Sequence, residues 1–293
     1  MQPLTIPPDW PHRAASRRIA CPPHLWHVQT LGSGPDLLLL HGAGGGTHSW
    51  RNLIPLLTPH YRVIALDLPG QGFSRLGARA RCGLNPMAAD IATLCAHENW
   101  HPTAIIGHSA GAVIALRLSE LMPLHAVIGI NAAISGFDGV AGWLFPAMAK
   151  LLSLTPFAAQ MFSRISGTKT RAKALLASTG SKLDAAGHAQ YLTLLRNPGH
   201  VDATLAMMAQ WRLDDLLARL PTLTTPTLLI TASGDKTVPP AVSERAAKRM
   251  PHATWVNLAG LGHLAHEEDA PTLAALILPF LTAHARSPRA QNP

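Results

Sequence analysis

A chain of 293 residues is about twice the commonest domain size, which leaves two small domains or one large α/β domain carrying an insertion. Hydrophobic residues make up 47% and charged residues 14%, against roughly 25% charged in an average globular domain, so a disordered polar chain is excluded and a sizeable core is available. The formal charge is +8, from 24 Lys and Arg against 16 Asp and Glu, but the basic residues are scattered and no stripe interleaved with aromatics accompanies them, so no nucleic-acid partner is expected.

The amino-terminal Met1 to Arg13 holds four prolines and no apolar h-region, which argues against a signal peptide and, by default, for a cytoplasmic location. A pair of antiparallel strands is expected around Leu25 to Gln29. The spacing then predicts strands over Leu37–Leu40, Val63–Leu66, Thr103–Ile106, Ala126–Ile130, Thr227–Thr231 and Thr254–Leu258. Each is a short apolar run bounded by Gly, Pro, Asp or His, the signature of strands buried on both faces. Helical patterns alternate with them at Trp50–Leu57, Pro86–His97, Ala110–Met122, Ala241–Arg249 and Ala270–Ala283. Such alternation specifies an α/β fold with a mostly parallel, doubly wound sheet, whose functional groups gather beyond the carboxyl ends of the strands.

The alternation stops between Ala132 and Pro221, where only helices and loops are expected. We read residues 132–221 as an inserted helical cap on a discontinuous core formed by 1–131 and 222–285. The tails, Met1–Pro11 and 286–293, are expected to be mobile. The most apolar stretch, Ala104 to Ser135, is interrupted by His108, Arg117 and Glu120, so no transmembrane segment is predicted and the protein is expected to be soluble. Cys21, Cys82 and Cys95 form no C-x-x-C pair; neither a disulfide framework, a metal site nor a cofactor is implied.

The sharpest motif is Gly107-His108-Ser109-Ala110-Gly111, a G-x-S-x-G pattern lying between a predicted strand and a predicted helix. That context is the one a nucleophile elbow requires: the serine is forced into a strained turn with its hydroxyl above the sheet. A serine nucleophile needs a base, and the base needs an orienting acid, in the chain order Ser, acid, His. Asp235 follows the Thr227–Thr231 strand and His263 follows the Thr254–Leu258 strand, so the expected triad is Ser109, Asp235 and His263. His252 precedes its strand and His266 lies where the last helix begins, so both are expected to be surface or capping groups. Asn131, at another position where some hydrolases carry the acid, cannot hold a charge opposite an imidazolium. Asp67, in Asp67-Leu68-Pro69-Gly70-Gln71-Gly72, reads as a structural turn residue.

Acyl transfer develops negative charge on a carbonyl oxygen, which calls for preorganised N–H donors. The backbone amide of Ala110 is one candidate. The second comes from His41-Gly42-Ala43-Gly44-Gly45-Gly46, with Ala43 the favoured donor. The strict phosphate-loop and dinucleotide glycine patterns are absent from the sequence, which leaves nucleotide binding a remote option. Within the cap, Trp143, Phe145, Met148, Met161, Phe162 and Trp211 are candidates to bind a large apolar substrate: each alone is more ordinarily a private-core residue, but as a set they favour a large apolar pocket. Arg164, Lys169, Arg171 and Lys173 are candidate carboxylate partners, with a solvated basic face the more ordinary reading.

Taken together, His41-Gly42, Asp67 to Ser74, Gly107 to Gly111, Asp235 and Gly262-His263 resemble the α/β-hydrolase superfamily over about Leu25 to Ala283. A serine at the elbow speaks against epoxide hydrolases and haloalkane dehalogenases, which use an aspartate there. Further segments resemble the BchO-type magnesium-chelatase accessory proteins of bacteriochlorophyll biosynthesis: Asp9 to Arg13, Thr47 to Arg51, Thr179 to Asp184, Met207 to Trp211 and Gly262 to Glu268. That resemblance implies a role near insertion of magnesium into protoporphyrin, with magnesium chelatase as a candidate partner and protoporphyrin or its magnesium form as candidate ligands. Three functions stay open at this point: a serine hydrolase of a large apolar, perhaps tetrapyrrole, ester; a non-catalytic porphyrin-binding accessory; and a general carboxylesterase.

Overall fold

The computed structural model describes residues 5–135 and 158–285. Eight strands form one sheet: β1 (Ser16–Cys21), β2 (His24–Leu31), β3 (Asp36–Leu40), β4 (Arg62–Leu66), β5 (Pro102–His108), β6 (Ala126–Ile130), β7 (Thr227–Ala232) and β8 (Ala253–Leu258). Their order is β1-β2-β4-β3-β5-β6-β7-β8. The β1–β2 and β2–β4 pairs are antiparallel and every later pair is parallel. The expected doubly wound α/β sheet with an antiparallel amino-terminal pair is therefore what the chain forms.

The apolar runs explain the layering. Side chains alternate across a strand, so a run that is apolar throughout buries both faces. Leu38, Leu40, Ile64, Leu66, Ile105, Val127 and Leu229 pack in one core with α2 (Leu84–His97), α3 (Ala110–Leu118) and α9 (Pro240–Ala247). Leu37, Leu39, Val63, Ala65, Ile106, Ile128 and Ile230 pack in the other, with Trp50, α1 (Ile54–Leu57) and α11 (Ala270–His284). Strand β8 lies at the sheet edge and is only partly covered.

Between β6 and β7 the described residues carry α4 (Ala158–Ser166), α5 (Lys169–Ser178), α6 (Ala185–Leu195), α7 (Pro198–Ala209) and α8 (Asp214–Arg219), and no strand. Among the described residues no helix is long and apolar enough to cross a membrane. One expectation fails. Residues 5–11 are not a free tail, because Trp10 is buried against Phe73 and Leu194, its indole N–H donates to Thr47 Oγ1 at 3.3 Å, and Gln29 Nε2 donates to the Pro11 carbonyl at 2.7 Å. An aromatic able to bury both its ring and its N–H outweighs the tail's prolines. Residues 286–293, the other expected tail, lie outside the described residues.

The turn after β4 is organised by Asp67, which is fully buried. Its carboxylate accepts from His27 Nδ1 at 2.6 Å, from the Thr47 amide at 2.6 Å and from the Phe73 amide at 2.8 Å. Gly72 is obligatory beside it: φ is +55°, and a Cβ there would lie 2.1 Å from Asp67 Oδ2. Burial alone would raise the Asp67 carboxyl, but His27 against it, with His41 and the Phe73 amide, holds it down at about 2. The favoured carboxylate therefore stabilises the fold fully above the ordinary aspartate value, and that contribution is lost as pH falls towards about 2. Asp67→Asn is expected to cost about 2 kcal/mol at pH 7, with the gap to the native chain shrinking between pH 4 and pH 2 when urea unfolding is followed across that range. A gap independent of pH would contradict this account.

Candidate active site

Ser109 stands between the last residue of β5 and the first of α3, with φ 52° and ψ −115°. Non-glycine residues avoid this region, so the conformation has to be imposed by the surroundings. Two glycines allow it. A Cβ on Gly111 would lie 2.0 Å from the Leu40 carbonyl oxygen, and one on Gly107 would lie 2.3 Å from that of Gly111. Hydrogen bonds then hold the turn: the Ser109 amide donates to Ile130 O at 2.9 Å, and the Ser109 carbonyl accepts from Ala112 and Ala133, each at 3.2 Å. Ser109 is partly exposed while Gly107, His108 and Ala110 around it are buried.

Asp235 follows β7, and His263 follows β8. His263 Nδ1 and Asp235 Oδ2 are 2.7 Å apart. The other carboxylate oxygen accepts from the amides of Thr237 at 2.7 Å and Val238 at 2.9 Å, so Asp235 is locked on both sides. With the carboxylate accepting, the His263 proton sits on Nδ1, which leaves Nε2 as the basic nitrogen. Residue 131 reinforces the geometry from the end of β6: Asn131 Nδ2 donates to the carbonyls of Gly262 at 3.0 Å and His263 at 2.8 Å, and Asn131 Oδ1 accepts from the Ala232 amide at 2.9 Å. His108, next in the chain to Ser109, donates from Nε2 to the His263 carbonyl at 2.8 Å. Its burial pushes its pKa far below the ordinary histidine range, so it packs 4.7 Å from the His263 ring as a neutral group.

The glycine loop after β3 lies against the elbow, since a Cβ on Gly42 would fall 3.0 Å from Ser109 Cβ and 2.8 Å from His108 Nδ1. His41 shapes this loop. Its Nδ1–H donates to Gly42 O at 2.7 Å while Nε2 accepts from the Leu68 amide at 2.9 Å, and burial keeps the ring neutral by lowering its pKa. Gln71 Oε1 accepts from the Gly44 amide at 2.8 Å. The amides of Ala43 and Ala110 meet no protein acceptor among the described residues. Among the described residues no group of three or more His, Cys, Asp or Glu side chains is placed to hold a metal ion.

Of the proposed apolar contacts, Trp143, Phe145 and Met148 lie outside the described residues. Met161 and Phe162 on α4 are 59% and 39% exposed, whereas Trp211 is partly buried against the core cluster that holds Met207. Arg164, Lys169, Arg171 and Lys173 are all exposed. His252 is exposed, as expected, but His266 is not the surface or capping group its position suggested. It is fully buried, its ring lies 4.6 Å from Trp50 and 4.5 Å from His108, and burial holds its pKa at about 3. The short helix α10 (Ala265–Glu268) brings it inward beneath Trp50, where ring packing replaces solvent.

Sequence reasoning also missed Glu267, which is buried, pairs with Arg51 and accepts from Tyr191 Oη at 2.8 Å. Burial pushes this carboxyl up to about 7 against the pull of Arg51 and Tyr191. An acidic pair four residues beyond a catalytic-type histidine was the available signal. Asn131 was weighed only as an acid, whereas its amide group does what a carboxylate cannot: it donates and accepts at once.

A family model for the alpha/beta hydrolase fold matches residues 35–270. The magnesium-chelatase 30 kDa subunit of Rhodobacter capsulatus is 48% identical over 283 residues, 96% of this chain and 99% of that one. The pimeloyl-[acyl-carrier protein] methyl ester esterase of Xanthomonas oryzae pv. oryzae is 30% identical over 239 residues, covering 81% of this chain and 91% of the esterase. Among solved structures, an esterase from Thermogutta terrifontis matches with a TM-score of 0.74 at 22% identity, over 92% of this chain and 99% of that one. At that identity the likeness speaks for the fold alone.

Because Asn131 donates to two carbonyls, Asn131→Asp would set a carboxylate against both oxygens and leave the His263 segment short of a donor. It is expected to cost about 2–3 kcal/mol and to lower the melting temperature by about 5 °C or more in calorimetry. An unchanged melting temperature would contradict the assignment of these hydrogen bonds.

Proposed function

The chain belongs to the alpha/beta hydrolase fold family, and on that premise we propose that it is a serine hydrolase in which Ser109 is the nucleophile, His263 the general base and Asp235 the orienting acid. The observation that carries this reading is the 2.7 Å contact between His263 Nδ1 and Asp235 Oδ2, set beside a strained serine turn to which His108 ties the His263 backbone. In the proposed reaction Ser109 Oγ attacks the carbonyl carbon of an ester while its proton passes to His263 Nε2. The amides of Ala43 and Ala110 receive the oxyanion. The imidazolium, stabilised by Asp235, returns the proton to the departing alcohol, and water activated by the same nitrogen then hydrolyses the ester on Ser109.

For the substrate we propose a large apolar acyl compound of tetrapyrrole chemistry, used alongside magnesium chelatase. The similarity to a chelatase subunit along nearly the whole chain supports this assignment, and the esterase relative supports the ester chemistry. Residues 132–221 are proposed as a cap over a core of 1–131 and 222–285, with the exposed Met161 and Phe162 offering apolar surface to a flat ligand. The chelatase relative also favours a second reading, in which the chain binds the porphyrin without transforming it.

Two measurements separate these readings. Ser109→Ala and His263→Ala are each expected to lower turnover of a small activated ester by roughly 10³-fold or more with the fold intact, and Asp235→Asn is expected to impair it. Native turnover in Ser109→Ala would remove the nucleophile. Protoporphyrin is expected to bind saturably, read from its Soret band, and to inhibit ester turnover competitively. Saturable binding without any turnover would favour the binding reading, and rapid turnover of short-chain esters without porphyrin binding would indicate a general carboxylesterase.

A further inference from the structure

The backbone of Gly262–Leu264, which carries His263, is held from two sides. Its carbonyls are met from the sheet, by Asn131 Nδ2 at Gly262 and His263 and by His108 Nε2 at His263. Its amides are met by different groups. Gly262 N donates to Glu268 Oε1 at 2.9 Å, His263 N donates to Thr179 O at 3.3 Å, and Leu264 N donates to Ser181 Oγ at 2.8 Å. Thr179 and Ser181 belong to the turn between α5 and α6 in the helical insertion, more than 80 residues away in sequence.

The same turn reaches the acid. Thr179 O also accepts from the Lys236 amide at 3.1 Å, so one carbonyl bridges the residue after Asp235 and His263 itself. Contact at this junction is close enough to exclude side chains. Gly180 has φ +86° and a Cβ on it would lie 2.0 Å from Gly234 O, while a Cβ on Gly262 would lie 2.4 Å from Gly180 C and from Ser181 N. Glu268 closes the arrangement by accepting from the Lys182 amide at 3.1 Å with its second oxygen. The turn is itself anchored, because Thr179 and Gly180 cap the end of α5 and Leu176, Tyr191 and Leu264 form an apolar cluster beneath it, with Leu183 packed against them.

We infer that the turn Thr179–Lys182, together with Glu268, is the positioning element for His263: the core sets the carbonyl edge of the histidine segment, and Ser181 and Glu268 set its amide edge. This rests on the proposed serine-hydrolase chemistry, in which His263 Nε2 must meet the Ser109 hydroxyl. Ser181 and Glu268 act through the histidine backbone and touch no reacting atom. Removal of the Ser181 hydroxyl leaves the buried Leu264 amide without a partner, and the segment shifts to recover one. A displacement on the order of 1 Å at a proton-transfer group is worth about 100-fold in rate while leaving substrate binding largely intact.

The test uses the full chain and compares Ser181→Ala, Ser181→Thr, Glu268→Gln and the remote control Glu120→Ala, whose partners are Arg117 in the last turn of α3 and Arg219 at the end of α8. Turnover of p-nitrophenyl acetate and the downfield proton resonance of His263 Nδ1–H, identified by its loss in His263→Ala, are both recorded. Ser181→Ala is expected to lower kcat by about 10- to 100-fold with KM within about twofold, and to shift or broaden the Nδ1–H resonance. Ser181→Thr, which keeps the hydroxyl, is expected to restore both, and Glu120→Ala to change neither. Ser181→Ala with native kcat and a native resonance overturns the inference; should that variant not fold, the same criterion is applied to Glu268→Gln. If the native chain turns over no ester, the hydrolase reading fails, and the resonance alone decides: altered in Ser181→Ala, positioning stands; unaltered, it falls.

Discussion

A serine with φ at +52° persists only where the surrounding structure forbids the alternatives, and at Ser109 that prohibition comes from backbone packed on backbone. The carbonyl of Leu40, at the end of β3, occupies the space a side chain on residue 111 would need. Strand β3 is held there by β4 on one side and β5 on the other, both parallel to it, with the β5 register unbroken from Leu37 to Leu40. The central strands thus do more than bury leucines: their register delivers the glycine crossing, and the crossing delivers the turn. Relaxing that turn would lower the local energy and withdraw the hydroxyl from the surface above the sheet.

Around this turn the chain gathers imidazoles without gathering charge. His41, His108 and His266 are all buried with their pKa values pushed down by that burial, so each serves as a neutral donor, acceptor or packing ring. The negative charge on Asp235 is then directed at a single ring, that of His263. A protonated His108, 4.7 Å from the His263 ring, would oppose formation of an imidazolium there. Low dielectric therefore suppresses charge on the supporting rings, while the Asp235 carboxylate is hydrogen-bonded to one imidazole, that of His263.

The sheet and the three candidate catalytic residues could be read from the sequence because their signals are local. Each strand is an apolar run a few residues long, and Asp235 and His263 stand directly after two of them; the two side chains then meet at 2.7 Å. What escaped was set by contacts between distant segments. The burial of His266 depends on Trp50 arriving from more than 200 residues earlier, and Trp10 leaves the expected mobile tail because Phe73 and Leu194 form a site for it. The Thr179 carbonyl has no residue-type signature, so its hold on Lys236 and His263 cannot be written in any motif.

The central claim is that Ser109, and no other hydroxyl, is the nucleophile made reactive by this packing. The direct measurement is reaction of the native chain with a fluorophosphonate, followed by peptide mass mapping of the adduct and repetition in Asp235→Asn. The account predicts one stoichiometric adduct on the peptide containing Ser109, formed much more slowly in Asp235→Asn. An adduct on another residue, Ser49 or Ser181 for example, or no adduct under conditions where the protein is folded, would contradict it.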